Sequence, residues 1–206
     1  MRDVPVVPSL SKKQIESKVA GIIREQYPDA WKGLEPVPVD DLYEFVVPNM
    51  LGVVVDYRDL SSMGLKVDGW TNSDQKVSYV DSTIAQNFSV AGRRYYRSTV
   101  GHELGHCFLH MELERWRTSR QILGLSLHRN RRLLKAYEDP EWQAWHFCKE
   151  LCAPQHLVLR LADKYRKNTA MMMDAMIESF DMSYSFIESR LRSLKLSPIK
   201  NNSSYS

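Results

Sequence analysis

His102-Glu103-Leu104-Gly105-His106 carries the most evident chemistry in this 206-residue chain. Residues four apart share one face of a helix, so both imidazoles can reach a single ion. Zinc accepts neutral imidazole nitrogens, and two such ligands leave room for a third protein ligand and a water. A bound divalent ion brings the pKa of that water toward neutrality. Glu103, beside the first imidazole, is placed to take the water's proton as it attacks a carbonyl and to hand it to a leaving amine. The competing reading is a helix that happens to carry two surface or core histidines.

A third ligand is needed, and zinc sites of the gluzincin type take it from a glutamate on a later helix. Glu141 fits that place. Ala144, Trp145, Cys148, Leu151 and Cys152 follow it at helical offsets, so its carboxylate projects from an apolar face, where it is costly unless paired or metal-bound. The alternative is a first-turn glutamate favoured by the helix macrodipole. Glu138, Asp139 and His146 are weaker candidates for the ligand.

Positioning these residues requires a helix over Arg94 to about Leu113 and another over Pro140 to about Tyr165, with Pro140 at the first turn. Ser11 and Gln14 form a capping box for a helix that runs to about Tyr27, with Leu10 and Ile15 as its hydrophobic staple. A short helix through Leu42, Phe45 and Val46 is expected to close at Pro48. Three strand candidates follow, at Val53–Tyr57, Leu65–Trp70 and Lys76–Val80, with a polar turn of Thr71, Asn72, Ser73 and Asp74 between the last two. Helices are expected at Ala170–Phe180 and Ser183–Leu194. Strands early and helices late give an α+β class with a small, partly antiparallel sheet, not a doubly wound parallel one.

Composition agrees with a single globular unit: 43% of residues are hydrophobic and 26% charged. The net charge of +3 is too small to argue nucleic-acid binding by itself. Three cysteines make no disulfide framework, and free buried thiols are expected. No apolar run reaches the roughly 18 residues of a membrane span, and the first residues lack the order of a signal peptide. A cytoplasmic protein is the expectation.

The wider motifs resemble the ImmA/IrrE family of metallopeptidases. Arg97-Ser98-Thr99-Val100-Gly101-His102-Glu103-Leu104-Gly105-His106-Cys107-Phe108-Leu109-His110 is similar to the family's zinc segment. Glu141-x-x-Ala144-x-x-Phe147-Cys148-x-x-Leu151-Cys152-Ala153-Pro154 is similar to its third-ligand segment. Phe180-Asp181-Met182-Ser183 with Arg190-Leu191 and Leu194 is similar to its ending. The resemblance spans about Pro36 to Leu196. It implies a zincin-like core and a zinc-dependent endopeptidase that acts on a helix-turn-helix repressor. It makes His102, His106 and Glu141 the metal ligands, Glu103 the catalytic acid/base, and His110 a residue behind the ligands. The chain departs from the family's pattern at Ser98, Gly101, Trp145-His146 and Ala153. Gln143 stands where many relatives carry a second glutamate.

On this reading residues 1–35 form an N-terminal arm and helix, the first eight residues, with Pro5 and Pro8, being loose; 36–165 form the metallopeptidase domain, 166–197 a helix-turn-helix-like segment and 198–206 a disordered tail. Met111–Lys135 carries Arg115, Arg117, Arg120, Arg129, Arg131, Arg132 and Lys135. It is either a basic rim that attracts an acidic substrate loop or a solvated connection. Met176, Phe180, Met182, Ile187 and Leu191 take the inner positions of a helix-turn-helix, but Tyr184, Ser185, Glu188 and Arg192 are a weak set for reading bases. Packing or partner recognition is favoured there over DNA binding. Tyr95, Tyr96 and Tyr184 are candidate oxyanion donors. The rival function is a non-catalytic zinc-containing regulator that binds a partner protein or DNA.

Overall fold

The computed structural model describes residues 3–63, 67–111, 113 and 128–196. Ser11 caps α1 (Lys12–Gln26) with the reciprocal bonds of a capping box, and Ile15, Val19, Ile22 and Ile23 are its buried stripe. α2 (Pro28–Lys32) ends at Gly33, whose φ of 81° needs a residue without Cβ. α3 (Val39–Asp41), a π-helical turn (Leu42–Val46) and α4 (Val47–Leu51) run on from one another. Pro48 therefore does not close the helix; it occupies the first turn of α4, where its missing N–H costs nothing.

The sheet has the order β2 (Val54–Arg58), β4 (Val77–Asp81), β3 (Gly69–Asn72), with β2 and β4 parallel and β3 antiparallel to β4. The fold class is α+β, as the pattern of strands before helices requires. Thr71 and Asn72 are paired strand residues opposite Ser78 and Val77, so the turn lies two residues later than expected, over residues 73–76. Leu65 and Lys66 of the expected strand lie outside the described residues. Alternation places Gly69 and Thr71 on the same sheet face. Trp70 and Tyr79 stack on the other, with ring centroids 5.7 Å apart.

α5 (Ser82–Ala85) leads to α6 (Val90–His110), which starts one turn before the expected Arg94 because the Ser89 side chain accepts from the Gly92 amide. After β5 (His128–Asn130), Asp139 caps α7 (Pro140–Cys152). The single helix expected to reach Tyr165 is broken: Pro154 cannot continue it, and α8 (Gln155–Lys164) starts anew. α9 (Thr169–Phe180) and α10 (Tyr184–Ser193) follow the expected bounds closely.

The N-terminal arm is not loose. β1 (Asp3–Pro5) pairs antiparallel with β5, and Val6 and Val7 are buried. One continuous apolar core joins side chains of α1, α6, α7, α9 and α10. No helix among the described residues is long and apolar enough to cross a membrane. Most of the basic segment Met111–Lys135 lies outside the described residues, as does the tail from residue 197.

Candidate metal centre

α6 and α7 cross closely because α6 carries two glycines at the contact. A Cβ on Gly105 would stand 2.7 Å from the Ala144 backbone, and one on Gly101 would stand 2.9 Å from Cys148 Sγ. The glycines let α7 bring Glu141, in its first turn, up to the histidine face of α6. Burial pushes the Cys107 thiol up to about 12, and all three cysteines are free and buried, as expected.

His102, His106 and Glu141 come together, each offering an atom within 4.8 Å of the others. His102 Nε2 and His106 Nε2 are 3.1 Å apart. Glu141 Oε2 lies 3.2 Å from His102 Nε2, and Glu141 Oε1 3.4 Å from His106 Nε2. Tetrahedral ligands at zinc distances of about 2.0–2.1 Å stand about 3.3 Å apart, so the three spacings fit one small ion.

The tautomer of His106 follows from its hydrogen bonds. The Gln143 amide nitrogen donates to the carbonyls of Pro8 and Tyr137, at 2.9 and 2.8 Å. Gln143 Oε1 must then accept from His110 Nε2, at 2.9 Å. Burial holds His110 neutral, its pKa pushed down to about 4, so its Nδ1 carries a lone pair. That lone pair accepts from His106 Nδ1, at 3.2 Å. His106 Nε2 is left as a bare acceptor facing the carboxylate Oε1 of Glu141, an arrangement that suits a cation between them. Burial and the neighbouring imidazoles push the His106 pKa down to about 3, so the ring is neutral and able to ligate.

Glu103 belongs to a second set of contacts. It is 4% exposed, and Thr71 Oγ1 donates to its Oε2 at 2.5 Å. Thr71 has one proton, already given to Glu103, so Ser78 Oγ donates to Thr71 at 2.8 Å. Tyr43 OH in turn donates to Ser78 at 3.1 Å. Three hydroxyls thus point one way, toward Oε2, and Oε1 lies outside that chain. A Cβ on Gly69 would stand 2.5 Å from that Oε1, so β3 lies against the carboxylate through bare backbone.

The two carboxylates are driven apart in acidity. Burial pushes Glu103 up to about 7, against the opposing pull of His102 and the Thr71 hydrogen bond. The His102 hydrogen bond holds Glu141 down at about 2, despite its partial burial. Two carboxyls in one neighbourhood are thus set far apart in acidity by their surroundings.

The weaker ligand candidates are engaged elsewhere. Asp139 caps α7 and pairs with Arg131 at 2.9 Å. Glu138 accepts from the Lys135 amide, and His146 faces Glu16 at 3.4 Å. Tyr95 donates to Asp68, Tyr96 bonds Tyr57 at 2.6 Å, and Tyr184 lies exposed on α10.

Gly69, Thr71, Ser78, Tyr43 and Pro8 are not indicated by the motif, and Gln143, singled out as standing where relatives carry a glutamate, instead holds His110. Only pairing of β3 with β4 reveals the hydroxyl chain, although the Thr71–Ser78 register across a short turn was a readable signal. No protein-family model and no curated protein matches the chain.

Proposed function

We propose that the protein is a zinc-dependent endopeptidase. The observation that carries this reading is the pairing of two differently tuned carboxylates with two imidazoles. Glu141 completes a three-donor group, and buried Glu103 is held at its side by Thr71. His102, His106 and Glu141 would hold the ion. Zinc held there would supply a Lewis acid for a scissile carbonyl and lower the pKa of a water. Glu103 accepts a proton at Oε1 while Thr71 keeps Oε2 in place, and then returns the proton to the departing amine. β3 has a strand partner on one side only among the described residues. Its open edge can align an extended peptide beside Glu103 by main-chain hydrogen bonds.

The favoured substrate is a helix-turn-helix transcriptional repressor in the cytoplasm, a choice that rests on the ImmA/IrrE resemblance. DNA binding by the chain itself has less support. On α10 the Arg192 guanidinium is paired with Glu188 at 3.1 Å. The Asp181 carboxylate at the preceding turn is taken by Arg93 and Arg94.

Glu103→Gln is the test. An endopeptidase should keep its metal and lose about 10²- to 10⁴-fold in cleavage rate. A regulator that uses zinc only for structure should bind its partner as before. Undiminished cleavage by the variant would overturn the reading.

A further inference from the structure

The two histidines of the group are held by unlike means. His106 is fixed through Nδ1 by His110 and Gln143. Among the described residues His102 has no counterpart: its Nδ1 is buried and without a hydrogen-bond partner. Metal-ligating histidines ordinarily give their second nitrogen to an acceptor, which fixes the ring plane and its tautomer. Here the His102 ring packs against Trp145, with ring centroids 4.4 Å apart and planes tilted by 41°, while His106 meets it edge-on at 4.7 Å.

Trp145 lies one turn after Glu141 on the same face of α7. One side of its indole meets His102, yet the residue is 43% exposed. A large apolar ring left half in water at this point is not explained by core packing. α7 thus supplies both a donor, Glu141, and a wall against the other helix's ligand.

We infer that Trp145 is a positioning residue of the metal centre, holding the His102 ring by tilted ring contact in place of the missing hydrogen bond. This rests on the metal-binding reading of His102, His106 and Glu141. Indole contact restricts rotation about the His102 side chain and keeps Nε2 turned toward Glu141. It leaves the Nδ1 proton without an acceptor when Nε2 ligates. Binding at His102 should therefore depend on ring packing, and binding at His106 on hydrogen bonding.

The experiment is competition for Zn²⁺ between the full-length protein and a chromophoric chelator, using wild type, Trp145→Ala and Trp145→Phe. Loss of an outer contact of this kind is expected to weaken zinc binding about 10- to 100-fold. Trp145→Ala should show that loss, and Trp145→Phe, which restores a flat ring, should stay within about threefold of wild type. Thermal unfolding of the three metal-free proteins should coincide, since the indole is half-exposed; a role in folding alone would separate them. Zinc affinity of Trp145→Ala within about twofold of wild type would overturn the inference and leave the metal site intact. Equal weakening in Ala and Phe would also overturn it. Absence of zinc binding by wild type would remove the metal reading itself, and this inference with it.

Discussion

Glu103 and Glu141 share a charge and a neighbourhood, yet their surroundings ask opposite things of them. Glu103 is buried with one hydroxyl donor, and its proton is held up to about 7. A carboxyl whose pKa is raised on folding binds its proton more tightly in the native state. Its effect is to lower stability as pH rises from the ordinary carboxylate value to about 7, with no further change above that. In metal-free protein, Glu103→Gln should therefore unfold with wild type near pH 4.5 and be more stable above pH 7, by of order 3 kcal/mol. Thermal unfolding across that pH range checks this; equal stability at pH 8 would contradict it. Thr71→Val tests the hydroxyl chain separately. It leaves Ser78 and Glu103 each short of a partner, and should lower cleavage with zinc content unchanged, whereas Thr71→Ser should retain activity.

At the scale of elements, the α6–α7 crossing sets the distance between the histidines and Glu141. Gly105→Ala would bring a methyl against the Ala144 backbone. Backbone cannot give way as a side chain can, so the helices must part. The expected cost is about 1–3 kcal/mol of stability, with weaker zinc binding as Glu141 retreats, read by thermal unfolding and chelator competition. Much of this arrangement was legible in the sequence, because helical period and capping act locally. The His102–His106 spacing, the apolar face beneath Glu141 and the Ser11 capping box are each settled within one or two turns. What stayed hidden depends on distant pairing. Thr71 read as part of a turn because its polarity outweighed its pairing with Ser78. The arm at Asp3–Pro5 read as loose because its partner, His128–Asn130, lies far along the chain. The helix expected to continue to Tyr165 breaks for a local reason, because Pro154 turns Ala153 out of the helical region.

Across the whole molecule, the ends of the chain are built into the support of the centre. Pro8, in the N-terminal arm, accepts from Gln143 and so anchors the chain of bonds that reaches His106. At the other end, fully buried Arg190 on α10 donates to the Ala153 carbonyl at 2.9 Å and pairs with Glu150 on α7. Removing one partner of a buried pair leaves a charge without compensation. Arg190→Ala should cost about 3–5 kcal/mol, measured by denaturant unfolding, and should loosen the helix that carries Glu141. A loss below about 1 kcal/mol would show that α10 is not tied to the core through this pair. The account stands or falls on whether His102, His106 and Glu141 hold an ion together. Elemental analysis of purified wild type, Glu141→Ala and Glu103→Gln tests that most directly. About one zinc per chain in wild type and Glu103→Gln, with much less in Glu141→Ala, is the predicted result. Undiminished zinc in Glu141→Ala, or none in wild type after reconstitution, would contradict it.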